Sequence, residues 1–173
     1  LKNLTELDTR RVVYFPLQQQ PEASTLTLAP YATNQVALLN ELALSLPADV
    51  QLVVKEHIYA LHGRPKGFYE NIKAIPNVTL MHPAVSSLEL IRRADLVCVI
   101  TSSAGYEAAV LGKPVVHFGH YSTLFGLKHV WHFDSAKRMD DIRTILRDVA
   151  LPGMEKKRAL EGARYYLATQ SLC

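Results

Sequence analysis

The segment from residue 96 to 119 constrains the fold more than any other part of the chain. An apolar run, Leu96 to Ile100, leads into the small-residue turn Thr101 to Gly105, and a helical pattern continues to Gly112. Pro114 then begins a second apolar run. A strand, a helix and a strand in this order normally pair their two strands in parallel, because the helix crosses back over the sheet. The segment therefore predicts a parallel α/β sheet.

The same alternation runs along most of the chain. Apolar runs predict strands at residues 11–17, 51–57, 78–81, 96–100 and 114–119, with a short sixth at 130–133. Helical periods predict helices at residues 33–46, 68–74, 140–149 and 155–169, and a capping box of Ser86 and Glu89 begins one more. A polar loop is expected between the first strand and Pro30.

These elements predict a doubly wound, mostly parallel sheet with helices on both faces, as in a Rossmann-like domain. The strands are nearly continuous in Val, Leu and Ile, which is typical of strands covered on both faces. In such sheets, ligands bind beyond the carboxyl ends of the strands at the switch point. With strand order 3-2-1-4-5, loops 18–22 and 101–105 would share one crevice.

Length and composition indicate one folded domain with extensions. The chain has 173 residues, of which 49% are hydrophobic, enough for a substantial core. We expect residues 1–10 to be a linker or the remnant of a preceding domain, 11–150 to be the Rossmann-like domain, and 151–173 to be a C-terminal helical arm. The chain begins without Met in a charged stretch, so we expect a piece of a longer protein.

Charge and cysteine usage exclude several classes. A net charge of +3, dispersed along the chain, does not predict nucleic-acid binding. No apolar run approaches the roughly 18 residues that a membrane span needs, and the first residues are not a signal peptide. The two cysteines, Cys98 and Cys173, lack disulfide or metal spacing, which indicates a reducing, cytoplasmic setting.

The turn before the fourth helix is the first candidate site. Thr101, Ser102 and Ser103 could donate hydroxyl and backbone hydrogen bonds to a phosphate at the positive end of the helix dipole. The alternative is a plain N-cap, since Ser and Thr are favoured there. Gly105 could approach a ligand or serve only close helix packing. Glu107 could bind a ribose, or could simply place negative charge favourably in a first helical turn.

The ends of the first two strands supply further candidates. Lys55 could neutralise phosphate, and His57 could hydrogen-bond it or transfer a proton. The alternative for both is a solvated strand end, with Lys55 paired to Glu56 or Glu22. Gln20 and Glu22 have acceptors at the crevice, or else they are only exposed turn residues.

Four histidines between residues 117 and 132 have a spacing that occurs in metal sites, but we do not predict a metal site there. His117 with His120 and His129 with His132 share a His-x-x-His spacing, but neither pair has support from Cys or carboxylate ligands. We therefore expect no metal. His117 is expected to line the crevice.

Taken together, these residues resemble the capsule polysaccharide biosynthesis family, bacterial glycosyltransferases of the two-domain GT-B architecture, some of which use CMP-linked Kdo. The matching segments cover about residues 11–120: Tyr14 to Gln18, Gln20 to Glu22, Val54 to His57, Phe68-Tyr69, Ile75 to Val78, Ser87 to Ile91, Thr101 to Ala108, Gly112 to Val115, and Phe118-Gly119. The family usually has Pro after the motif Lys-Glu-His, where this chain has Ile58.

The resemblance implies that the chain is the C-terminal, donor-binding half, with the acceptor and much of the catalytic machinery on a missing N-terminal domain. The fragment alone is then expected to be inactive. The positions expected to face the donor are Gln20, Glu22, Lys55, His57, Ser102, Ser103 and Glu107.

The function expected from this resemblance is transfer of a sugar, CMP-Kdo-like, to a capsular or other surface polysaccharide or a glycolipid. No metal or cofactor is required if the helix N-terminus, Lys55 and His57 supply the positive charge. Peripheral association with the inner face of the cell membrane stays open, as do two other functions. These are transfer of a polyol phosphate from a CDP-linked donor, and a non-catalytic nucleotide-binding or scaffold module.

Overall fold

The computed structural model describes residues 1–7, 9–60, 63–119, 124, 126–133, 140–149 and 154–170. Within them, six strands form one parallel sheet: β1 Arg11–Pro16, β2 Val50–Lys55, β3 Val78–Met81, β4 Leu96–Val99, β5 Val115–His117 and β6 Val130–His132. The helices are α1 Ala23–Leu28, α2 Gln35–Ser45, α3 Phe68–Lys73, α4 Ser87–Arg93, α5 Ser103–Val110, α6 Asp140–Val149 and α7 Met154–Gln170. The strand order β3-β2-β1-β4-β5-β6 confirms the predicted doubly wound sheet and adds β6 at its edge.

The sheet is buried on both faces, which explains the continuous apolar strands. On β1, Val13 and Phe15 face one core, which α2, α3 and α6 cover. Val12 and Tyr14 face the other core, which lies under α4 and α5. β1 is central because it pairs with β2 along its whole length and with β4 through Val13 and Tyr14. The switch point therefore lies between β1 and β4, as predicted.

The segment after β1 differs from the sequence prediction. The expected polar loop to Pro30 contains the short helix α1 and a 3₁₀ turn at Pro30–Ala32. The prediction was wrong because Ala29 and Ala32 are fully buried against the core, and buried backbone groups need hydrogen-bond partners. The helical turns supply them, since the Ala29 and Ala32 N–H groups donate to the Thr25 and Ala29 carbonyls. Helix α2 begins after Asn34, whose side chain accepts a hydrogen bond from the Ala37 amide at 3.1 Å.

Both terminal segments pack on this sheet and its helices. Near the N-terminus, Lys2 forms a parallel bridge with Met81 at the β3 edge, and Leu7 is buried. At the other end, α7 lies directly on α5. The two helices are so close that a Cβ on Gly162 would fall 2.4 Å from the Ala109 carbonyl oxygen. Within the described residues, no helix is long and apolar enough to span a membrane.

Candidate functional site

The loops after β1 and β4 meet at the carboxyl edge of the sheet. The Thr101 hydroxyl, just beyond β4, donates a hydrogen bond to the Gln18 side-chain oxygen, just beyond β1, at 3.2 Å. This contact confirms that the two loops predicted to share a crevice are neighbours. The crevice lies at the switch point, where ligands of doubly wound sheets bind.

Helix α5 begins at this edge with hydroxyl-bearing residues. Ser102 is the N-cap and accepts a hydrogen bond from the Ala104 amide at 3.3 Å. Ser103, the first helical residue, is exposed, and Thr101 is half-buried. The first N–H groups of a helix have no acceptor inside the helix, and the dipole there favours an anion. The N-cap is thus confirmed, and phosphate binding at the same place stays a prediction.

The next two candidates on α5 have different environments. Gly105 is buried, and a Cβ there would lie 2.7 Å from the Val99 Cγ2 atom. Its position gives it the packing role that the sequence left open, because it lets α5 lie close to β4. Glu107 is exposed and is the fifth residue of α5, so it lies outside the first turn. Favourable first-turn charge is therefore not the reason for this carboxylate.

Lys55 ends β2 and reaches toward α4. Its Nζ donates a hydrogen bond to the hydroxyl of Ser87, the first residue of α4, at 3.2 Å. Partial burial lowers the pKa of Lys55 from its ordinary value, and the Glu56 carboxylate opposes that change. Glu56 itself pairs with Arg64, so the predicted alternative of a Lys55–Glu56 ion pair is not what holds this carboxylate.

A buried phenol lies between these candidates. Burial raises the pKa of Tyr14 to about 12, and the negative charge of Glu107 acts in the same direction. Tyr14 is on β1 and faces the core that α5, the helix of Glu107, covers.

His57 follows β2 on an exposed turn. Its ring centroid lies 5.6 Å from that of Tyr59, with the two planes tilted by 47°. Residues Ile58–Ala60 form a 3₁₀ turn directly after it. The His57 backbone N–H donates to the Glu56 carboxylate at 2.6 Å, and this hydrogen bond also holds the turn in place.

Gln20 and Glu22, the two candidates after β1, differ in the hydrogen bonds that their side chains make. The Gln20 amide nitrogen donates to the Thr33 carbonyl at 2.8 Å, and its oxygen accepts from Gln35 at 2.8 Å. Gln20 therefore holds its own loop together. Glu22 is exposed at the N-cap of α1 and makes no side-chain capping bond there. Donor contacts by either residue stay predictions.

His117 is buried at the end of β5. Burial, with a smaller contribution from His132, lowers the pKa of His117 to about 4. Its Nδ1 lies 3.1 Å from the Gly119 N–H, from which it can accept, and 3.3 Å from the Gly119 carbonyl oxygen, to which it can donate. With this lowered pKa, the ring carries no charge near pH 7. His120 lies outside the described residues, which contain no group of three or more His, Cys, Asp or Glu placed to hold a metal.

A buried polar cluster that no sequence pattern predicted lies at the ends of β1 and β2, beneath the crevice. The side chains of Glu56 and Arg64 are only 2% and 5% exposed, and their closest atoms are 2.7 Å apart. The available signal was the charged Glu56 directly after a buried strand, but no local pattern identifies Arg64 as its partner. Gln18 and Gln35 complete the cluster.

The sheet order and the strand-end loops define a Rossmann-like α/β domain of the kind that forms half of a GT-B glycosyltransferase. The family model described as capsule polysaccharide biosynthesis protein matches residues 3–165. This chain belongs to that family.

The comparisons with individual proteins are more partial. "Capsule polysaccharide modification protein LipA" of Neisseria meningitidis serogroup B is 29% identical over 82 residues, which is 47% of this chain and 12% of that protein. The chain therefore matches only a small part of this relative's length.

Similar solved structures show the same fold. The "beta Kdo 2,7 transferase" of Thermosulfurimonas dismutans KpsC has a TM-score of 0.59 and 21% identity, covering 92% of this chain and 55% of its own. The "beta Kdo 2,4 transferase" of the same KpsC gives 0.58 and 22%, covering 87% and 46%. WaaG, "a glycosyltransferase involved in lipopolysaccharide biosynthesis", gives 0.57 and 16%, covering 91% and 43%. The chain spans about half of each of these proteins.

Proposed function

We propose that this chain is the donor-binding domain of a bacterial glycosyltransferase. The enzyme would move a sugar from a nucleotide-sugar, with a CMP-Kdo-like donor favoured, to a capsular or other surface polysaccharide or glycolipid. Family membership and the similarity to two Kdo transferase structures support this class of donor and acceptor. A preceding domain would bind the acceptor, and the enzyme would work in the cytoplasm at the inner face of the membrane.

The observation that carries the proposal is the start of α5 at the switch-point edge. Ser102 and Ser103 lie where the helix dipole is positive, one residue beyond the Thr101 contact with Gln18. When the bond between the sugar and the donor phosphate breaks, the leaving nucleotide gains negative charge. Groups already oriented toward that charge stabilise the transition state more than the ground state.

The other candidates would complete the leaving-group site. Lys55 would add a positive charge, and His57 would hydrogen-bond or protonate the departing phosphate. Glu107 would accept hydrogen bonds from the ribose or the base, and His117 would line the crevice as a neutral imidazole. Since these groups supply hydrogen bonds and positive charge to the leaving group, the proposed reaction requires no metal or other cofactor. The chain by itself would bind donor without turning it over.

A thermal-shift panel tests the proposal. CMP, CMP-Kdo, CDP-glycerol, UDP and GDP are each added to the chain, and unfolding is followed. A ligand at one hundred times its Kd stabilises the folded state by about 2.7 kcal/mol, so specific binding is readily measured. We expect CMP and CMP-Kdo to raise Tm and UDP and GDP to leave it unchanged. Glu107→Ala and His57→Ala should reduce the shift, whereas Glu41→Ala, an exposed change on α2, should not.

Each contrary outcome has a defined meaning. Stabilisation by CDP-glycerol but not by CMP-sugars would replace sugar transfer by polyol-phosphate transfer. No stabilisation by any nucleotide would leave a scaffold module and refute the donor site. A CMP shift that stays unchanged in both variants would show that Glu107 and His57 do not contact the donor.

A further inference from the structure

The buried polar cluster beneath the crevice is not used by the proposed chemistry, yet it contacts both sides of the crevice. We call it the strand-end cluster and define it by Gln18, Gln35, Glu56, Arg64 and Tyr69. It joins the chain after β1 to the chain after β2, and it includes an ion pair removed from solvent.

The ion pair is bidentate. Arg64 Nε donates to Glu56 Oε2 at 2.8 Å, and Arg64 Nη2 donates to Oε1 at 2.7 Å. The Tyr69 hydroxyl also donates to Oε2, at 3.0 Å. On the other side, the Arg64 guanidinium lies 4.6 Å from the centre of the Phe68 ring. Two parallel charged bonds and a packed ring fix the guanidinium in one orientation.

Arg64 extends this fixed geometry to the loop after β1. Its Nη2 also donates to the Gln18 carbonyl at 2.7 Å. The Gln35 side chain bonds both the N–H and the carbonyl of Gln18, at 2.8 and 3.0 Å. The Gln18 side chain in turn accepts from Thr101 at 3.2 Å. Two hydrogen bonds, both to Gln18, therefore connect the guanidinium to Thr101, just before α5.

Glu56 extends the same geometry to the loop after β2. Its Oε1 accepts from the His57 backbone N–H at 2.6 Å. Hydrogen bonds that begin at this one ion pair therefore reach His57 through Glu56, and Thr101 through Arg64 and Gln18. These two residues flank the donor crevice from opposite sides of the switch point.

Stability alone does not explain a pair of this kind. Removing two charges from water costs free energy that their attraction often fails to recover, and apolar replacements of similar volume are often neutral or stabilising. A buried pair is better explained where it selects one geometry. In this protein, the geometry selected is the spacing between the His57 turn and the Thr101 turn.

We propose that Arg64 is a positioning residue for donor binding. Through Glu56 it fixes the His57 turn, and through Gln18 it fixes Thr101 at the start of α5, so that both sides of the crevice meet the donor at one spacing. The inference rests on the proposed donor site, but its effect on the strand ends is measurable without a ligand.

The test uses the double variant Glu56→Met/Arg64→Met, because it removes both charges and leaves no unpaired one. Gln35 remains to bond Gln18, and Tyr69 is only partly buried, so the variant is expected to fold with a Tm near that of wild type. The Gln18 turn should nevertheless open more often, because its carbonyl has lost Arg64. Calorimetry should show CMP binding weakened about tenfold or more. Hydrogen exchange should show the Gln18 amide exchanging at least about tenfold faster, with the Val13 amide of the core unchanged.

Two further variants make the test specific. Arg64→Lys retains a charge beside Glu56 but cannot make the paired bonds and reach Gln18 together, so we expect an intermediate CMP affinity. Arg92→Met, an exposed arginine on α4, is the matched control and should change nothing.

The possible outcomes separate this inference from the proposed function. Wild-type exchange at Gln18 in a folded double variant overturns the positioning role, whatever the ligand does. Unchanged CMP affinity in that variant overturns it as well. If wild-type protein binds no nucleotide, the proposed function fails, and the exchange of the Gln18 amide still decides whether Arg64 holds the strand ends.

Discussion

The two sides of the crevice are built from different chemistry. On the β1–β2 side, the strand ends are held by buried side chains that bond one another, chiefly the Glu56–Arg64 pair and the Gln35 amide. On the β4–α5 side, the chain passes from Val99 to the first residue of α5 in three residues, and Ser102 supplies the only side-chain cap that the described residues show there. We call the first the scaffold side and the second the presenting side, because in the proposed function the helix start would present its hydrogen-bond donors to the ligand.

The difference follows from what comes after each strand. After β2, twelve residues separate Lys55 from Phe68, and a loop of this length has backbone groups that need partners. The Glu56 carboxylate accepts from the His57 N–H of this loop, and Arg64, also in the loop, donates to the Gln18 carbonyl after β1. After β4, the helix begins at once, so the unsatisfied N–H groups are those of the helix start itself. The contrast indicates that substitutions in the buried Glu56–Arg64 pair change stability most, whereas substitutions at Lys55 and at the start of α5 cost less stability and test donor binding.

The largest effect is expected from Glu56→Ala on the scaffold side. The variant leaves the Arg64 guanidinium buried without its partner, and breaking a buried pair from one side costs about 3–5 kcal/mol. Urea denaturation should show this loss of unfolding free energy. Glu70→Ala, an exposed change on α3, is the matched control and should stay within about 0.5 kcal/mol of wild type. A loss for Glu56→Ala no larger than that of the control would show that the two sides do not differ as described.

The pH dependence of stability tests whether His117, at the end of β5, is buried in its neutral form. The pKa of His117 is about 4 in the folded chain and about 6.5 when unfolded, so the unfolded state binds more protons between these values. This contribution is fully present above pH 6.5 and is lost as pH falls toward 4, by about 2–3 kcal/mol. Denaturation of wild type and His117→Gln across this range should show a steeper loss for wild type. Parallel curves would contradict a neutral, buried His117.

The same contrast explains how much could be predicted from the sequence. The sheet order was predictable because the apolar runs and helical periods are local patterns, and because right-handed crossovers leave few topologies. Ser102 as an N-cap was predictable for the same reason, since capping depends on neighbours in the chain. The presenting side of the crevice is thus encoded locally.

The scaffold side could not be predicted in this way. Arg64 contacts Gln18, which lies 46 residues earlier, and no periodicity relates the two positions. The helix α1 was also missed, because its order depends on Ala29 and Ala32 packing into a core that the sequence does not locate. Long-range partners of polar side chains require the assembled fold, whereas strands and caps do not.

A pair of N-cap variants compares capping with binding directly. Ser102 caps α5 at the crevice, and Ser86 caps α4 by accepting from the Glu89 amide. Replacing either by Ala should cost about 1 kcal/mol of stability, the usual value of a cap. Only Ser102→Ala should also weaken CMP binding, by several-fold, when measured by calorimetry. Equal CMP affinity in the two variants would leave Ser102 with a capping role alone.

The smallest effect on stability is expected at Lys55. Its ammonium group is only partly buried, and burial lowers its pKa, so Lys55→Met removes a desolvation cost together with one hydrogen bond to Ser87. We expect unfolding free energy within about 0.5 kcal/mol of wild type. CMP affinity should nevertheless fall about tenfold, and its dependence on salt should weaken, because in the proposed site the lost charge would face the donor phosphate. Lys73→Met, exposed in the last turn of α3, should leave both unchanged. An unchanged salt dependence in Lys55→Met would place the donor phosphate away from β2 and leave α5 as its binding element.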